Sequence, residues 1–175
     1  MALANKHLYT KKSTIPGAGK GLFTKVIIPK GTRITEYKGK ILTWKEVEKM
    51  ADERNGYVFF FNNQYCIDAW KTKKGLAHYA NDANGITRVE GVKNNAEYVT
   101  VKKQCFIEAK RDIPAGSEIL VGYGGEYWQA IRYNIRLVQR NREKEGKKNG
   151  VKVDLPHHHA SKSIAKKRKH KAVFA

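Results

Sequence analysis

Apolar residues come in short runs separated by turn residues, from about residue 6 to residue 128. The run at residues 22–28 (LFTKVII) predicts a strand, and Pro29-Lys30-Gly31 ends it with a strong turn signal. Residues 34–37 predict a second strand. Many short strands with few helices indicate an irregular domain that is mostly β with minor α.

Two hairpins are predicted further along the chain. Residues 57–61 and 65–67 flank a polar loop at 62–64, and residues 98–101 and 105–109 repeat this arrangement. A turn at Pro114-Ala115-Gly116 follows the second hairpin and repeats the pattern of the first Pro-x-Gly turn. Residues 81–85 (NDANG) favour turns and left-handed backbone.

Helical patterns occur at two places. Thr43 suits an N-cap, with Glu46 at the capping-box position of a short helix. After Gly125, apolar residues recur at helical spacing, with arginines on another face: Tyr127, Trp128, Ile131, Ile135 and Val138, then Arg132, Arg136 and Arg140. This second pattern predicts an amphipathic helix that ends around residues 142–146.

The length of 175 residues suits one domain with a hydrophobic core. We predict a domain over residues 1–128, with its core at about 10–128. A C-terminal helix over 127–145 is expected to pack on this domain or to close it. Residues 146–175 are highly charged and poor in apolar residues, which predicts a disordered basic tail.

The formal net charge of +19 is extreme for this length. About half of it lies from Glu126 onward, where 14 basic residues face 4 acidic ones. A field of this size favours an acidic partner such as nucleic acid, chromatin or an anionic surface. The cluster at 166–171 (KKRKHK) is typical of a nuclear localisation signal or a nucleic-acid patch, and it equally suits a solvated end that aids solubility.

Several kinds of site and segment are disfavoured. No apolar run is long enough to span a bilayer, and the N-terminus lacks a secretory pattern, so we expect an intracellular protein outside the membrane. Cys66 and Cys105 cannot form a disulfide framework, and buried free thiols are expected. The first 125 residues lack the His and Cys clusters of a structural zinc site, and no metal site is predicted.

Three segments carry candidate chemistry. Residues 16–23 (PGAGKGLF) lack the features of a nucleotide P-loop and open a strand rather than a helix. Taken alone, they form a flexible turn, or a loop whose backbone lies close to a ligand because glycine has no Cβ. Taken in isolation, residues 75–82 (GLAHYAND) are typical of packing and turn positions. Residues 107–124, taken in isolation, predict a strand, a turn and another strand.

In this order and spacing, the three segments resemble a SET domain over about residues 10–128. The family opens with a GxG-L/V-F stretch and an I-x-x-G-x-x-I-x-E-Y-x-G segment, which residues 19–23 and 28–39 match. Its G-N-x-A-R-F-x-N-H-S segment is matched loosely by residues 75–83. Its A-x-R-D-I-x-x-G-E-E-L-x-x-D-Y-G segment is matched well by residues 109–124.

The resemblance implies small β-sheets around a pseudoknot, S-adenosylmethionine as the cofactor, and methyl transfer to a protein lysine. The residues that match the family's cofactor contacts are Lys20, Gly21 and Leu22 through their backbone, then Tyr79, Asn81, Asp82 and, over the adenine, Trp128. Tyr123 matches the catalytic tyrosine. Tyr57 matches a wall of the lysine channel, and Val121 stands where the family tunes the number of methyl groups.

Methyl transfer requires a neutral amine in line with the sulfonium carbon, although a free lysine has a pKa of about 10.4. A narrow aromatic channel and the sulfonium charge both disfavour the ammonium form. Tyr123 can orient the amine without acting as a strong base. Most of the rate would then come from alignment of the reacting atoms.

The chain departs from the family pattern near the predicted site. Asp82 stands where His is usual, which removes an imidazole donor and adds a charge, and Gly122 replaces the usual Asp before the tyrosine. Val121 is smaller than the usual Phe or Tyr, which predicts capacity beyond monomethylation. The cysteine clusters that close many histone-directed relatives with zinc are missing, so we expect the helix after Tyr127 to close the site.

The expected substrate is a histone or histone-like protein with a lysine-bearing tail, and the alternative is a ribosomal or other non-histone protein. A catalytically weak SET-like module that binds chromatin or nucleic acid stays open because of Asp82 and Gly122. The basic tail would bind nucleic acid and raise the local concentration of a basic substrate. It favours the nucleus in a eukaryote, and the cytoplasm or nucleoid otherwise. The sequence leaves the target lysine and the oligomeric state open.

Overall fold

The computed structural model describes residues 5–49, 58–70, 72 and 75–149, without the side chains of 130 and 143–149. Its strands are β1 Leu8–Lys12, β2 Lys20–Thr24, β3 Arg33–Glu36, β4 Lys40–Thr43, β5 Val58–Phe60, β6 Tyr65–Asp68, β7 Ala96–Val101, β8 Gln104–Ala109 and β9 Glu118–Ile119. Its helices are α1 Trp44–Val47 and α2 Gly125–Asn149, with 3₁₀ turns at Asn5–His7 and Ala77–Tyr79. The predicted fold class, mostly β with minor α, is confirmed.

The strands form small antiparallel sheets in the orders β1-β2-β9, β3-β8-β7 and β4-β6-β5. The β5–β6 and β7–β8 pairs are the two hairpins that the sequence predicts. The strand predicted over 22–28 is too long, since β2 ends at Thr24. The Thr24 hydroxyl donates to the Val26 carbonyl (2.7 Å) and accepts from the Val26 N–H (3.2 Å), which turns the chain there.

The two Pro-x-Gly turns lie side by side in the core. Ile28 and Ile113 each precede a proline, are fully buried, and exchange two backbone hydrogen bonds of 2.9 and 2.8 Å. Gly31 and Gly116 end the turns with φ of 79° and 78°, a conformation that side chains disfavour. The repeated sequence pattern therefore forms one paired structural unit.

The main core is built from aliphatic side chains of all three sheets and the loops between them: Leu8, Leu22, Ile28, Ile34, Ile67, Ile107, Ile113, Ile119 and Val121. Cys66 and Cys105 are buried free thiols, as predicted. Burial raises the pKa of the Cys105 thiol to about 12, so this thiol stays protonated and acts as a packing group.

The segment after β9 passes between two polar loops. On one side, the Val121 N–H donates to the Asn81 carbonyl (2.8 Å). On the other side, the Asn95 amide donates to the Glu118 carbonyl (2.8 Å) and its oxygen accepts from the Leu120 N–H (2.9 Å). This passage is the pseudoknot that the resemblance implies, and it carries the following residues to the Asn81 loop.

The two helices differ in how closely they follow the sequence pattern. The capping box of α1 is formed by Thr43 and Glu46, as predicted. In α2, Ile131 is 3% exposed but Val138, which the spacing places on the same apolar face, is 46% exposed. The start of α2 therefore packs on the domain, and its apolar face opens to solvent further along. None of the described helices is long and apolar enough to cross a membrane.

The end of α2 also differs from the prediction. The helix continues to Asn149, beyond the predicted end at 142–146, because the Glu and Lys residues there favour helix. Residues 146–149 are thus helical rather than part of the predicted tail. The rest of that tail, residues 150–175, lies outside the described residues, as do the predicted channel residue Tyr57 and the basic cluster at 166–171.

Candidate active site

The glycine-rich segment forms a closed loop before β2. The Ser13 N–H donates to the Gly19 carbonyl (2.8 Å) and joins the ends of the loop. Gly17 and Gly19 have φ of 79° and 72°, which few other residues adopt. Gly21 is required for a different reason, since a Cβ there would lie 2.1 Å from Glu118 Oε1. The loop backbone therefore approaches a buried carboxylate directly.

Glu118 holds this loop in place from β9. Its side chain is buried, at 5% exposure. Oε1 accepts from the Ser13 hydroxyl (2.7 Å) and Asn81 Nδ2 (3.2 Å), and Oε2 accepts from the Thr14 N–H (2.7 Å) and the Thr14 hydroxyl. Sequence reasoning did not name Glu118 as a site residue, although it matches a glutamate of the A-x-R-D-I-x-x-G-E-E-L-x-x-D-Y-G segment that residues 109–124 resemble. Only the pairing of β9 with β2 places Glu118 beneath Gly21.

Asn81 joins the glycine-rich loop to the pseudoknot. Its Nδ2 donates to the Lys20 carbonyl (3.0 Å) as well as to Glu118. Leu22, two residues further along β2, is fully buried in the main core. The hydrogen bond from Asn81 to Lys20 therefore joins the Asn81 loop to β2, which carries the predicted cofactor residues Lys20, Gly21 and Leu22.

Asp82 is the second buried carboxylate, at 5% exposure. Oδ1 accepts from the Asn84 N–H and Asn94 Nδ2, both at 2.8 Å. Oδ2 accepts from the Tyr123 N–H and Trp128 Nε1, both at 2.7 Å. Each oxygen thus has two donors, which uses the acceptor capacity of the carboxylate. Among the described residues, amide, hydroxyl and indole groups rather than cations hold both Asp82 and Glu118.

Tyr123 lies where these elements meet. Its hydroxyl donates to the Ala80 carbonyl (2.7 Å), which fixes the direction of the O–H. Burial, followed by the neighbouring Tyr127, raises the pKa of Tyr123 well above its ordinary value near 10. The phenol therefore stays neutral at physiological pH. Its oxygen can accept or orient a group, but it cannot act as a strong base.

An aromatic cluster surrounds Tyr123. The ring of Trp128 lies nearly parallel to that of Tyr123, with centroids 5.7 Å apart and an interplanar angle of 9°. Tyr127 meets each of these two rings edge-on at 5.0 Å. The start of α2 therefore supplies two rings to the Tyr123 site.

A second aromatic group packs against the same core as Tyr123 and contains Tyr37, Phe59 and Tyr98. Phe59 lies 5.2 Å from Tyr37 and 4.7 Å from Tyr98, measured between ring centroids. Burial, and then the proximity of Tyr123 and Tyr37, raises the pKa of Tyr98 well above its ordinary value. Sequence reasoning did not assign these rings to the site. Tyr37 matches the tyrosine of the I-x-x-G-x-x-I-x-E-Y-x-G segment, whereas Phe59 and Tyr98 look like ordinary apolar strand positions.

The other predicted residues occupy varied positions. Val121 is fully buried in the main core. Tyr79 is half-buried and its ring lies 4.1 Å from that of His78, whose pKa is lowered by burial. Gly122 is exposed, and a Cβ there would lie 3.4 Å from Asn94 Nδ2. No group of three or more His, Cys, Asp or Glu side chains in the described parts of the chain is arranged to hold a metal ion.

Comparison with known proteins identifies relatives of this arrangement. The chain is 28% identical over 129 residues to histone-lysine N-methyltransferase set-1 of Caenorhabditis elegans, covering 69% of this chain and 52% of that protein. It is 30% identical over 112 residues to histone-lysine N-methyltransferase EZ1 of Zea mays, covering 61% of this chain and 11% of that protein. It is 28% identical over 120 residues to N-lysine methyltransferase KMT5A-A of Danio rerio, covering 63% of this chain and 33% of that protein. The chain thus spans about half or less of each relative.

Solved structures include a similar fold. A chain of a humanized mutant of the Chaetomium thermophilum Polycomb Repressive Complex 2, bound to the inhibitor GSK126, matches with a TM-score of 0.57 and 25% sequence identity. The match covers 71% of this chain and 15% of that one. The SET domain family model matches residues 19–124, from the glycine-rich loop to the residue after Tyr123. This match covers more than half of the chain, and the chain therefore belongs to the SET domain family.

Proposed function

We propose that this chain is an S-adenosylmethionine-dependent protein-lysine N-methyltransferase. The observation that carries the proposal is the position and hydrogen bonding of the Tyr123 hydroxyl. This neutral hydroxyl is oriented by the Ala80 carbonyl, beside the loop that holds the predicted cofactor residues Asn81 and Asp82. This arrangement can align an amine without an acid–base triad. The lysine methyltransferases among the relatives support the same reaction.

The described residues fit S-adenosylmethionine. Glycine-rich backbone at residues 17–21 offers close approach, and Trp128 is a half-buried aromatic ring suited to an adenine. The buried charges of Asp82 and Glu118 favour a cationic ligand. When bound, S-adenosylmethionine supplies an electrophilic methyl group on a positively charged sulfur. We assign Lys20, Gly21, Leu22, Tyr79, Asn81, Asp82 and Trp128 to its site, with Asp82 acting through the groups that it holds.

The lysine would reach Tyr123 through an aromatic passage. Tyr37, Phe59 and Tyr98 pack against the same core as Tyr123, and a low-dielectric aromatic wall disfavours the ammonium form of the substrate. The Tyr123 O–H donates a hydrogen bond to the Ala80 carbonyl, so the oxygen lone pairs remain available to orient the incoming amine. Tyr57 and Val121 complete the proposed channel, and the small Val121 side chain leaves room for a methylated amine.

The proposed substrate is a histone or histone-like tail, because two of the relatives are named histone-lysine methyltransferases. A ribosomal or other non-histone protein is the alternative, and a nuclear location in a eukaryote is part of the proposal. The test is transfer of labelled methyl groups from S-adenosylmethionine to core histones and to a cell extract, followed by mapping of the modified residues. We expect label on lysine. A protein that binds the cofactor and labels nothing would instead be a catalytically weak binding module.

Nucleic acid is a proposed second partner, supported by the charge of +19 and by the arginine row of α2. Arg132, Arg136 and Arg140 follow at four-residue spacing along one helix face. We expect binding to duplex DNA that weakens steeply with salt, with a log–log slope of about −0.9 per neutralised phosphate. Removal of residues 150–175 should make this slope shallower and leave methylation of a free peptide unchanged. A slope that is unaltered by the truncation would assign the binding to another surface.

A further inference from the structure

One oxygen of Asp82 links helix α2 to the candidate active site. Oδ2 accepts from the Tyr123 backbone N–H and from Trp128 Nε1, both at 2.7 Å. The two donors belong to residues whose rings are parallel to within 9°. A single charged acceptor therefore sets the position of Trp128 relative to Tyr123. Hydrogen bonds to a charged acceptor are stronger than neutral ones, so this is a firm point of attachment.

The carboxylate cannot rotate away from these donors without losing others. Oδ1 is held by the Asn84 N–H and by Asn94 Nδ2, both at 2.8 Å, and the Asn94 oxygen accepts from the Ala83 N–H (2.8 Å). All four acceptor positions are thereby used inside the protein. An imidazole, which the family usually carries here, offers at most one acceptor nitrogen and could not hold this set of donors.

Gly85 contacts Trp128 at the edge of the indole that lies away from Asp82. A Cβ on Gly85 would lie 3.0 Å from Trp128 Cη2 and 3.1 Å from Cζ2, so the indole packs directly on the backbone of the Asn81 loop. The indole is thus held at its nitrogen by Asp82 and at its far edge by the space at Gly85. Both groups lie in residues 81–85, and both act on the same ring of α2.

We propose that Asp82 is a positioning residue, which fixes Trp128 of α2 over the cofactor site and thereby makes α2 the closing element of that site. The inference rests on the proposed function, because it takes Trp128 as a cofactor contact. It goes beyond that function in explaining the departure from His. The aspartate does not contact the cofactor itself. It holds Trp128, which makes the contact, by a hydrogen bond.

The test measures the position of Trp128 and the affinity for S-adenosylmethionine separately. In a Trp44→Phe and Trp70→Phe background, Trp128 is the remaining indole and its emission reports its exposure. We expect Asp82→Asn to shift this emission to the red and to weaken cofactor binding about tenfold or more, measured by calorimetry. Since Asp82 acts through the indole, Trp128→Phe added to Asp82→Asn should weaken binding little further.

Gly85→Ala moves the ring without touching the carboxylate. It should give a red shift and weaker cofactor binding of the same kind, with a smaller effect on turnover at saturating cofactor. Gly125→Ala is the matched control, since a Cβ at Gly125 meets nothing within 4 Å. It should leave emission and affinity unchanged. Gly85→Ala leaves the Asp82 side chain in place, so it tests whether the position of the indole controls cofactor affinity even if Asp82→Asn fails to fold.

Two results would overturn the positioning role. One is unchanged Trp128 emission and affinity in both Asp82→Asn and Gly85→Ala. The other is full additivity of Asp82→Asn and Trp128→Phe in cofactor binding, which would mean that the two residues act independently. A wild-type protein that binds no S-adenosylmethionine would overturn the proposed function instead, and the emission of the variants would still report whether Asp82 holds the indole.

Discussion

Tyr123→Phe should lower methyl transfer by about 100-fold or more while S-adenosylmethionine binding changes by less than about twofold. The variant keeps the ring that stacks on Trp128 and the backbone N–H that Asp82 accepts. It removes only the hydroxyl that donates to Ala80. The loss should therefore fall on turnover, measured with saturating peptide and cofactor, and calorimetry should show nearly unchanged cofactor affinity.

The pH profile separates orientation from base catalysis at Tyr123. Burial raises the pKa of Tyr123 above its usual range, so this group stays protonated from pH 7 to pH 9.5 in the folded protein. Any rise in activity over that interval should come from the substrate amine, and the residual activity of Tyr123→Phe should rise in parallel. Tyr133→Phe, on the exposed side of α2, is the matched control and should behave as wild type. A profile that flattens in Tyr123→Phe would assign Tyr123 a role as base.

Gly21→Ala should destabilise the fold by about 2–4 kcal/mol and abolish measurable cofactor binding. The new Cβ would lie 2.1 Å from Glu118 Oε1 and 2.7 Å from its Cδ. Glu118 cannot move away cheaply, because Ser13, Thr14 and Asn81 all donate to its buried carboxylate. The measurement is the free energy of unfolding in urea, together with calorimetry of cofactor binding.

A double variant identifies Glu118 as the obstacle. Glu118→Ala alone should cost about 1–3 kcal/mol, since the donors of Ser13, Thr14 and Asn81 lose their acceptor. Combined with Gly21→Ala, its cost should be well below the sum of the single variants, because the space that the Cβ needs is then empty. Gly125→Ala is again the control for an added methyl group. Wild-type stability of Gly21→Ala would contradict the close approach.

Local chemistry explains what could be predicted from the sequence. The capping box of Thr43 and Glu46 and the turns that end at Gly31 and Gly116 depend on neighbouring residues, and all were predicted. The two hairpins followed from alternating strands and short loops. The family motifs named Tyr123, Asn81 and Asp82 as site residues because their order and spacing are local patterns too. The fold class follows from the same information.

The partners of those residues depend on contacts between distant segments. Nothing near Glu118 in the sequence marks it as buried, and only strand pairing sets its carboxylate under Gly21. Helical spacing predicted a continuous apolar face on α2, but spacing cannot tell how far the domain extends beneath a helix, and Val138 is exposed.

Asp82 shows most clearly the difference between what the sequence predicts and what the tertiary structure adds. The sequence by itself predicted Asn81, Asp82 and Tyr123 as site residues, and it marked Asp82 as a departure from the family. Only the tertiary structure decided which groups that aspartate holds, because its four donors come from its own loop, from Asn94, from the strand region of Tyr123 and from α2. A buried carboxylate takes its role from the donors that folding brings to it, and those donors are far apart in the sequence.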